Sequence, residues 1–476
     1  MRHVASLAVV SWLGGCSLLY NPTNIDKQMD APEVPIDAPV DSDPTMISVT
    51  GVRPLVITEG QGSGGSRPAV LVIEGTNFVK ANTTVMLAPS APITKTPVMT
   101  VDNSKLDVSA DGFFVTVPVT VDVDERPAGL IMGDSIAVDI IVKQDVSGGT
   151  IMKTLPGALR VAGLDELKGA APANGITGGV EHVYSLVQLT GVVKVMTGAG
   201  ADMPVILRST SKLTVDDFTV SGLLQAGGPG GGSGGTGGSL LGGNQVGTGP
   251  AGGTGNGSPG GFLGDATVFT LGGNFRGSGG AGGVAALGGG NGGGGGGSIM
   301  LVAGGDLTTG DGTAIGGLPT TANAQGGGGS GGVIVLRAGR NLVTATMSVA
   351  GSGPGAALGA AGRLRYDAGG TSTLATGFRG PQFSAPPLVV NMDKPMLQVV
   401  GTAQTMFKYY ITNAAGTMTS NAYVVTVPDS GPAVVVNGTD GGDRLSEGLN
   451  RICLVAGAGD LTSETRNCID IAYIGH

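Results

Sequence analysis

The chain has 476 residues, 91 of them glycine, with a formal net charge of −9 and a pI near 4.8. Charged residues make up 13% of the chain, against a usual share of about 25%. A hydrophobic share of 41% excludes wholesale disorder, and the lack of a proline-rich Gly-X-Y repeat excludes collagen. The acidic balance without basic patches argues against nucleic-acid binding. Short stretches rich in Val, Ile and Thr predict an all-β protein.

The first residues have the features of a bacterial export signal. A short basic start precedes an apolar stretch at residues 4–12, which is too short to cross a bilayer core of about 30 Å. The stretch ends at residues 13–16, LGGC, which resemble the lipobox of bacterial lipoproteins. The resemblance implies cleavage before Cys16, lipid attachment to its thiol and, because Ser17 follows, sorting to the outer membrane. An ordinary signal peptide with an unrelated cysteine is the alternative.

Composition shifts along the chain predict five segments. The second is rich in proline and aspartate, so it is expected to stay extended as a tether. The segments are a lipoprotein signal peptide at 1–15, the acidic tether at 16–45, a β-sandwich at 46–167, a glycine-rich right-handed parallel β-helix at 168–379, and a C-terminal immunoglobulin-like β-sandwich at 380–476.

The first predicted sandwich alternates apolar and polar residues with a period of two, as half-buried strands do. Residues 136–142, IAVDIIV, are the clearest example. Residues 71–78, LVIEGTNF, resemble the IPT/TIG family of immunoglobulin-like domains. The resemblance implies an immunoglobulin-like sandwich, a spacer or interaction role, and a hairpin closed by the Gly-x-Asn-Phe turn.

The middle of the chain repeats itself. Residues 296–309 match residues 331–344, residues 205–215 form a third copy, and residues 184–196 are expected to start the series. Stacked coils place equal positions above one another, so the copies predict two buried leucine columns in a parallel β-helix. The columns are Leu207, Leu301 and Leu336, and Leu213, Leu307 and Leu342. A sandwich of ordinary hairpins is the alternative.

Two glycine loops interrupt the copies, at residues 227–297 and 316–332. Both are expected to leave the stack at one corner, after the third strand of a coil. Parts of the first loop repeat Gly-Gly-x with a period of three, the period of polyproline II geometry. This pattern resembles the polyglycine II bundles of some phage fibre tips and antifreeze proteins. A flexible linker is the alternative, because glycine loses the most entropy on ordering.

Two cysteines remain near the C-terminus. Cys453 and Cys468 are most simply a disulfide in an exported protein, with Cα atoms about 4.4–6.8 Å apart. The lack of nearby histidines argues against zinc. No metal or cofactor is predicted.

Parallel β-helices host polysaccharide lyases and hydrolases, so a charged cluster in the repeats is a candidate catalytic site. Its members are Arg208, Asp216, Asp217 and Arg337. No tryptophan remains after residue 12 to stack on sugars. The sequence therefore favours a non-enzymatic outer-membrane lipoprotein, periplasmic or surface-exposed, that acts as an adhesin, scaffold or interaction module. The expected partners are the membrane through Cys16, cell-surface polysaccharides and other envelope proteins. A β-helix enzyme that binds or degrades polysaccharides is the alternative.

Overall fold

Contacts divide the chain into Met1–Thr45 and Met46–His476, and the second unit holds every residue described in this computed structural model. Cys16, the predicted signal peptide and the predicted tether lie outside the described residues. The described part is almost entirely strand, with short 3-10 helices at Asn103–Lys105 and Gly355–Ala357, so the all-β prediction is confirmed. None of its helices has the length and hydropathy to cross a membrane. The described residues are 46–91, 99–123, 135–173, 175–196, 204–228, 231–239, 246–248, 252–254, 257–261, 284–285, 289–320, 325–413, 422–438, 443–456 and 466–475.

The N-terminal region consists of two sheets. Their orders are β1-β3-β7-β5, with β6 on β7, and β2-β9-β8-β4. Both sheets contribute to one apolar core, in which Leu71, Val117 and Ile140 are fully buried. The strands are β1 Ser48–Arg53, β2 Val56–Thr58, β3 Ala69–Thr76, β4 Thr83–Pro89, β5 Met99–Val101, β6 Asp107–Val108, β7 Phe114–Val121, β8 Ser135–Val146 and β9 Gly149–Ala162.

The turn that follows β3 does not close a hairpin. β3 pairs with β1 and β7, whereas the next strand, β4, pairs with β8 in the other sheet. Asn77 has a φ of 63°, and Phe78 is buried in the shared core. The hairpin implied by the family resemblance is therefore wrong, because this turn carries the chain from one sheet to the other.

The middle region is a stack of parallel strands. One sheet has the order β10-β13-β15-β19-β22, joined by β11, β20 and β23, and the other has the order β12-β14-β18-β21-β24-β25. The chain passes from the second sheet to the first in each copy, as from β18 to β19. The strands are β10 Glu166–Ala170, β11 Ile176–Thr177, β12 Glu181–Tyr184, β13 Leu186–Met196, β14 Val205–Ser209, β15 Leu213–Thr219, β16 Gly238–Ser239, β17 Val284–Ala285, β18 Ser298–Ala303, β19 Leu307–Thr309, β20 Gly312–Thr313, β21 Val333–Ala338, β22 Leu342–Thr344, β23 Met347–Ser348, β24 Arg363–Ala368 and β25 Phe378–Arg379.

Two leucine columns run through the core of this stack in the predicted registers. Each leucine lies opposite its equivalent in the neighbouring coil, and none is more than 1% exposed. The columns are Leu207–Leu301–Leu336 and Leu213–Leu307–Leu342. The stack begins earlier than expected, because β10 already pairs in parallel with β13.

The described glycine segments are ordered against the stack. Successive backbone N–H groups from Gly292 to Gly297 donate in rotation to three different neighbouring segments, at 2.5–2.8 Å. The acceptors are the carbonyl oxygens of Gly235, Gly327, Leu224, Gly232, Ser330 and Val220, in that order. A β-strand bonds to two neighbours with a period of two, so this period of three indicates polyproline II-type strands. Within the described residues, the ordered alternative is favoured over a flexible linker.

Glycine is required in these segments because neighbouring backbones approach one another closely, and not because the backbone adopts an unusual conformation. A Cβ added at Gly294 would lie 2.1 Å from the carbonyl oxygen of Ala226, and one at Gly329 would lie 1.9 Å from that of Gly294. Neither residue has a φ in the left-handed region. We call the packed segments the glycine slab, comprising residues 222–228, 231–237, 289–297, 314–320, 326–332 and 350–362.

The slab segments leave the stack beside one another. The N–H of Gly222 donates to the carbonyl oxygen of Ile315, and that of Gly316 donates to Ala350, at 2.8 and 3.0 Å. These residues follow the C-terminal end of β15 and the two short strands β20 and β23. The end of β15 pairs in parallel with β20, and β20 pairs in parallel with β23. The exit at one corner is as the sequence predicts.

The C-terminal region consists of the sheets β26-β28-β31 and β27-β33-β32-β29-β30. Phe407 and Ile452 are fully buried between them. Phe383, close to the start of this region, joins the same core. The strands are β26 Gln382–Phe383, β27 Val389–Val390, β28 Leu397–Val400, β29 Met406–Thr412, β30 Tyr423–Thr426, β31 Ala433–Val435, β32 Gly448–Ala456 and β33 Asn467–Tyr473.

The C-terminal region packs back on the N-terminal region. The apolar outer face of β3 lies against β33. Arg67 donates to the carbonyl oxygens of Pro386, Pro387 and Asp470 at 2.5, 2.5 and 2.7 Å. Burial lowers the pKa of Arg67 to about 10, and the nearby Asp470 carboxylate opposes that shift. The guanidinium group therefore clamps the two terminal regions together.

Candidate interaction surface

The outer face of the first parallel sheet carries polar side chains in register. Lys168 pairs with Gln188, Gln188 with Thr214, and Thr214 with Thr308 on successive strands. Strand alternation explains their position, because Thr214 lies between two buried apolar residues that face the core. Strand spacing sets these side chains about 4.8 Å apart across the sheet. The row presents the Lys168 ammonium, the Gln188 amide and the Thr308 hydroxyl, whereas the Thr214 Oγ1 is itself buried.

A second row of hydroxyl groups runs parallel to the first. Lys194 pairs with Thr219, Thr219 with Thr313, and Thr313 with Ser348. The Thr313 hydroxyl donates to the Thr219 hydroxyl at 2.9 Å, and the Ser221 hydroxyl donates to Thr313 at 3.2 Å. The Thr219 hydroxyl in turn donates to the Ser221 hydroxyl at 3.4 Å, so these three hydroxyl hydrogens are used within the protein and the oxygens remain as acceptors for a ligand. We call the two rows together the polar face.

Carboxylates between the two rows link the turns of neighbouring coils. Asp216 accepts a hydrogen bond from the N–H of Gly191 at 2.8 Å, and Asp217 accepts one from the N–H of Asp311 at 2.7 Å. Asp311 in turn accepts one from the N–H of Thr346 at 2.9 Å. Each carboxylate therefore caps a turn of the adjacent coil.

The four residues considered for catalysis do not converge. Arg208 and Arg337 lie on β14 and β21, whereas Asp216 and Asp217 lie on β15 in the other sheet. Arg208 forms an ion pair with Glu181, with 2.6 Å between Nε and Oε1. The two aspartates cap turns, as described above.

Arg337 belongs instead to a buried ionic cluster that was not identified from the sequence. Arg365 donates through Nε and Nη2 to the two carboxylate oxygens of Asp367, each at 2.8 Å, and both residues are 1% exposed. Arg337 lies 3.4 Å from the same carboxylate and donates to the carbonyl oxygen of Arg466 at 2.6 Å. Burial lowers the pKa of Arg337 to about 10, and Asp367 opposes this shift. The cluster joins the stack to the C-terminal region.

The predicted cysteine pair lies at disulfide distance. Cys453 and Cys468 are directly opposite each other on β32 and β33, with their sulfur atoms 2.09 Å apart. Their Cα atoms are 4.0 Å apart, slightly closer than the expected range. Direct antiparallel pairing brings the two residues together, although their Cα atoms are also closer than the about 4.5–5.5 Å usual for opposed residues.

A groove of about 350 Å³ lies between the two terminal regions, lined by Asp107 and residues 389–392 and 395. Asp107 is its one ionisable lining residue, and its carboxylate lies 2.6 Å from the Lys80 ammonium. Among the residues that the structure describes, no three His, Cys, Asp or Glu side chains are placed to hold a metal ion. The groove thus offers one paired carboxylate and no metal donor set.

Comparison with known proteins adds no relative. No protein-family model matches the chain, and no curated protein or solved structure is significantly similar to it. The function must therefore be inferred from the residues and surfaces of this chain.

Proposed function

We propose that the chain is a lipid-anchored protein of the cell envelope that acts as a non-catalytic adhesin, scaffold or interaction module. The lipobox-like residues 13–16 support an anchor at Cys16 in the outer membrane. More than one acyl chain gives stable attachment, whereas one alone is marginal. The acidic tether at 16–45 then spaces the body from the lipid.

The body is, on this proposal, an IPT/TIG-like sandwich, a right-handed parallel β-helix and a C-terminal immunoglobulin-like sandwich. Paired sheets around a shared core support the assignment of both terminal regions. Parallel, in-register strands with a continuous leucine core support the assignment of the middle region. The clamp at Arg67 and the buried cluster at Arg337 favour a rigid body that presents surfaces rather than a set of moving domains.

The polar face carries the functional proposal. Its side chains repeat at the strand spacing and offer hydrogen-bond donors and acceptors along two rows. A polymer with regularly repeated hydroxyl groups matches such rows, so cell-surface polysaccharide is the favoured partner. The turn carboxylates between the rows already accept backbone hydrogen bonds, which supports binding without catalysis.

Binding to purified envelope polysaccharides tests this proposal. We expect the full chain to bind them, and the double variant Gln188→Ala, Thr308→Ala to bind about tenfold more weakly, because hydrogen bonds contribute about 0.5–1.5 kcal/mol each. Thr154→Ala, an exposed threonine on β9, is the matched control and should bind as the unmodified chain does. Equal binding by all three proteins, or none, would remove the polar face as the site.

The anchor is tested separately. Cys16→Ser should move the chain from the membrane fraction to the soluble fraction after gentle lysis. Unchanged membrane partitioning would refute lipid attachment at this residue.

A further inference from the structure

An Asn-Gly pair in the C-terminal region lies between an aspartate and a lysine. Asn437 and Gly438 follow β31, and Asn437 is exposed to water. In such a pair the backbone nitrogen of the glycine can attack the side-chain carbonyl carbon of the asparagine, because glycine has no side chain to obstruct the approach. A five-membered cyclic imide then forms, and ammonia leaves. The groups around the pair decide how fast this happens.

The carboxylate of Asp443 holds both backbone nitrogens of the pair. Its Oδ2 atom accepts from the N–H of Asn437 at 2.9 Å and from the N–H of Gly438 at 3.2 Å. Asp443 is 0% exposed, and its Oδ1 atom has no hydrogen-bond partner among the described residues. Buried side-chain oxygens usually have a partner, so this one calls for an explanation beyond capping of a turn. Asp443 is in direct contact with the proton that must leave Gly438.

The side chain of Lys394 lies over the same peptide. A Cβ built on Gly438 would lie 2.8 Å from the Lys394 Nζ atom. The segment that carries Lys394 is fixed beside the pair, because the N–H of Met396 donates to the carbonyl oxygen of Val436 at 3.1 Å. The attack develops negative charge on the side-chain oxygen of the asparagine, and a cation held nearby stabilises such charge.

We propose that Asn437 is a site of spontaneous deamidation promoted by Asp443 and Lys394. Asp443 takes the proton of the Gly438 N–H as this nitrogen bonds to the side-chain carbon of Asn437. The carboxyl group then passes the proton to the departing amide nitrogen, which leaves as ammonia. Water adds to either carbonyl carbon of the imide, the C–N bond at that carbon breaks, and the nitrogen regains a proton. The products are aspartate and isoaspartate, each with one more negative charge than asparagine.

The glycine slab contains the same dipeptide in a different setting. The N–H of Gly292 donates to the carbonyl oxygen of Gly235 at 2.8 Å, and the side-chain oxygen of Asn291 accepts from the N–H of Gly237 at 2.8 Å. The described residues of the slab include no charged side chain. Backbone groups therefore hold both reacting partners, and no carboxylate of the slab takes the proton. Asn291 should react slowly and is an internal control.

Peptide mass spectrometry of the full chain, incubated in neutral buffer, tests the site through replacement of the amide by a carboxyl group. We expect Asn437 to deamidate at least about tenfold faster in the folded chain than in the chain unfolded by urea, since a positioned base contributes that much or more. Asn291 should instead react more slowly in the folded chain. Deamidation of Asn437 that is equal or slower in the folded chain would overturn the proposal.

Two variants separate the roles of the charged groups. Asp443→Asn keeps an oxygen for the two N–H groups but cannot take up a proton, so it should lower the rate at Asn437 to that of the unfolded chain. Lys394→Met should lower the rate several-fold and leaves the buried carboxylate in place. Lys408→Met, which changes a half-buried lysine on β29, is the matched control and should leave the rate unchanged.

Circular dichroism shows whether each variant is folded. If Asp443→Asn does not fold, the comparison of Lys394→Met with Lys408→Met decides. An unchanged rate in Lys394→Met, or an equal fall in Lys408→Met, would overturn the proposal. The polar face and its ligand play no part in this reaction, so the outcome is independent of polysaccharide binding.

Discussion

The parallel sheets and the glycine slab are both closely packed, but the sheets pack side chains together and the slab packs backbone against backbone. In the sheets, strands alternate with a period of two and fill the interior with side chains such as Leu301 and Leu336. In the slab, segments repeat with a period of three and place backbone against backbone, as Gly294 does with Ala226. Both structures occur in the same coils, because the segments of the slab run directly into β18 and β21.

The difference shows what holds each region together. A buried leucine contributes about 1.5–3 kcal/mol through removal of apolar surface from water. A slab glycine has no such surface, and its hydrogen bond contributes about 0.5–1.5 kcal/mol against an ordering cost of about 1–2 kcal/mol. The slab therefore depends on its attachment to the leucine core, which acts as a template for its first and last residues.

The largest expected effect comes from placing a charge in the leucine core. Leu336→Asp should destabilise the stack by at least about 4 kcal/mol, because a buried carboxylate there has no partner in the apolar column. Thermal unfolding followed by circular dichroism should show the stack and slab lost together. Val343→Asp is the control, since Val343 is 45% exposed on the outer face of β22. A comparable loss in the control would contradict the assignment of the two faces.

The disulfide provides a reference outside both regions. Replacing Cys453 and Cys468 by alanine should lower the stability of the C-terminal region by roughly 3 kcal/mol. The bond joins residues 15 positions apart and so restricts a loop of that length in the unfolded chain. The stack and slab should keep their own unfolding transition. Alkylation of the unfolded, unreduced protein should detect no free thiol from this pair, and two free thiols would contradict the bond.

A methyl group added to a glycine tests whether neighbouring backbones in the slab are closely packed. Gly294→Ala should destabilise the slab by about 1–3 kcal/mol, since the new Cβ meets the backbone of Ala226 and Gly227. Gly148→Ala is the matched control, because nothing lies within 4 Å of its new Cβ. Denaturant unfolding should leave the control within about 1 kcal/mol of the parent. Equal stability of both variants would contradict close packing in the slab.

The smallest expected effect concerns the hydrogen bonds that link the turns of neighbouring coils. Asp311→Ala removes the acceptor of the Thr346 N–H and should cost about 1 kcal/mol. Thr236→Ala, an exposed third position of the Gly-Gly-x repeat, should cost close to nothing. A larger loss at Thr236 than at Asp311 would mean that side chains, and not the backbone, hold the slab.

The sequence allowed the leucine columns to be predicted because a residue that recurs at equal positions must stack when coils stack. The sequence could not decide whether the glycine segments are ordered or flexible, because glycine carries no side-chain pattern. Only the close approach of neighbouring backbones distinguishes the two. The sequence contains one unused signal that the C-terminal region packs against the N-terminal region. Residues 69–73, AVLVI, form a continuous apolar run, which indicates a strand covered on both faces, as β3 is.

The charged residues were the hardest to place from sequence. The sequence offered Arg337 and Asp216 as members of one charged cluster, but the fold pairs Arg337 with Asp367 on the neighbouring strand. The arginine and the aspartate are far apart in sequence and meet only because β21 and β24 lie in register. Residues 362–368 align with residues 332–338 and place Asp367 opposite Arg337, so the repeat that predicted the leucine columns also contained this signal.

Amide hydrogen exchange of the full chain tests the contrast between leucine core and glycine slab most directly. The N–H groups of residues 292–297 and 326–332 should be protected, because most of them donate to the backbone of a neighbouring segment. Their protection should approach that of β18 and β21 in the parent and fall selectively in Gly294→Ala. Exchange at the rate of an unstructured chain in the parent would show that the glycine segments are flexible linkers, contradicting the ordered slab.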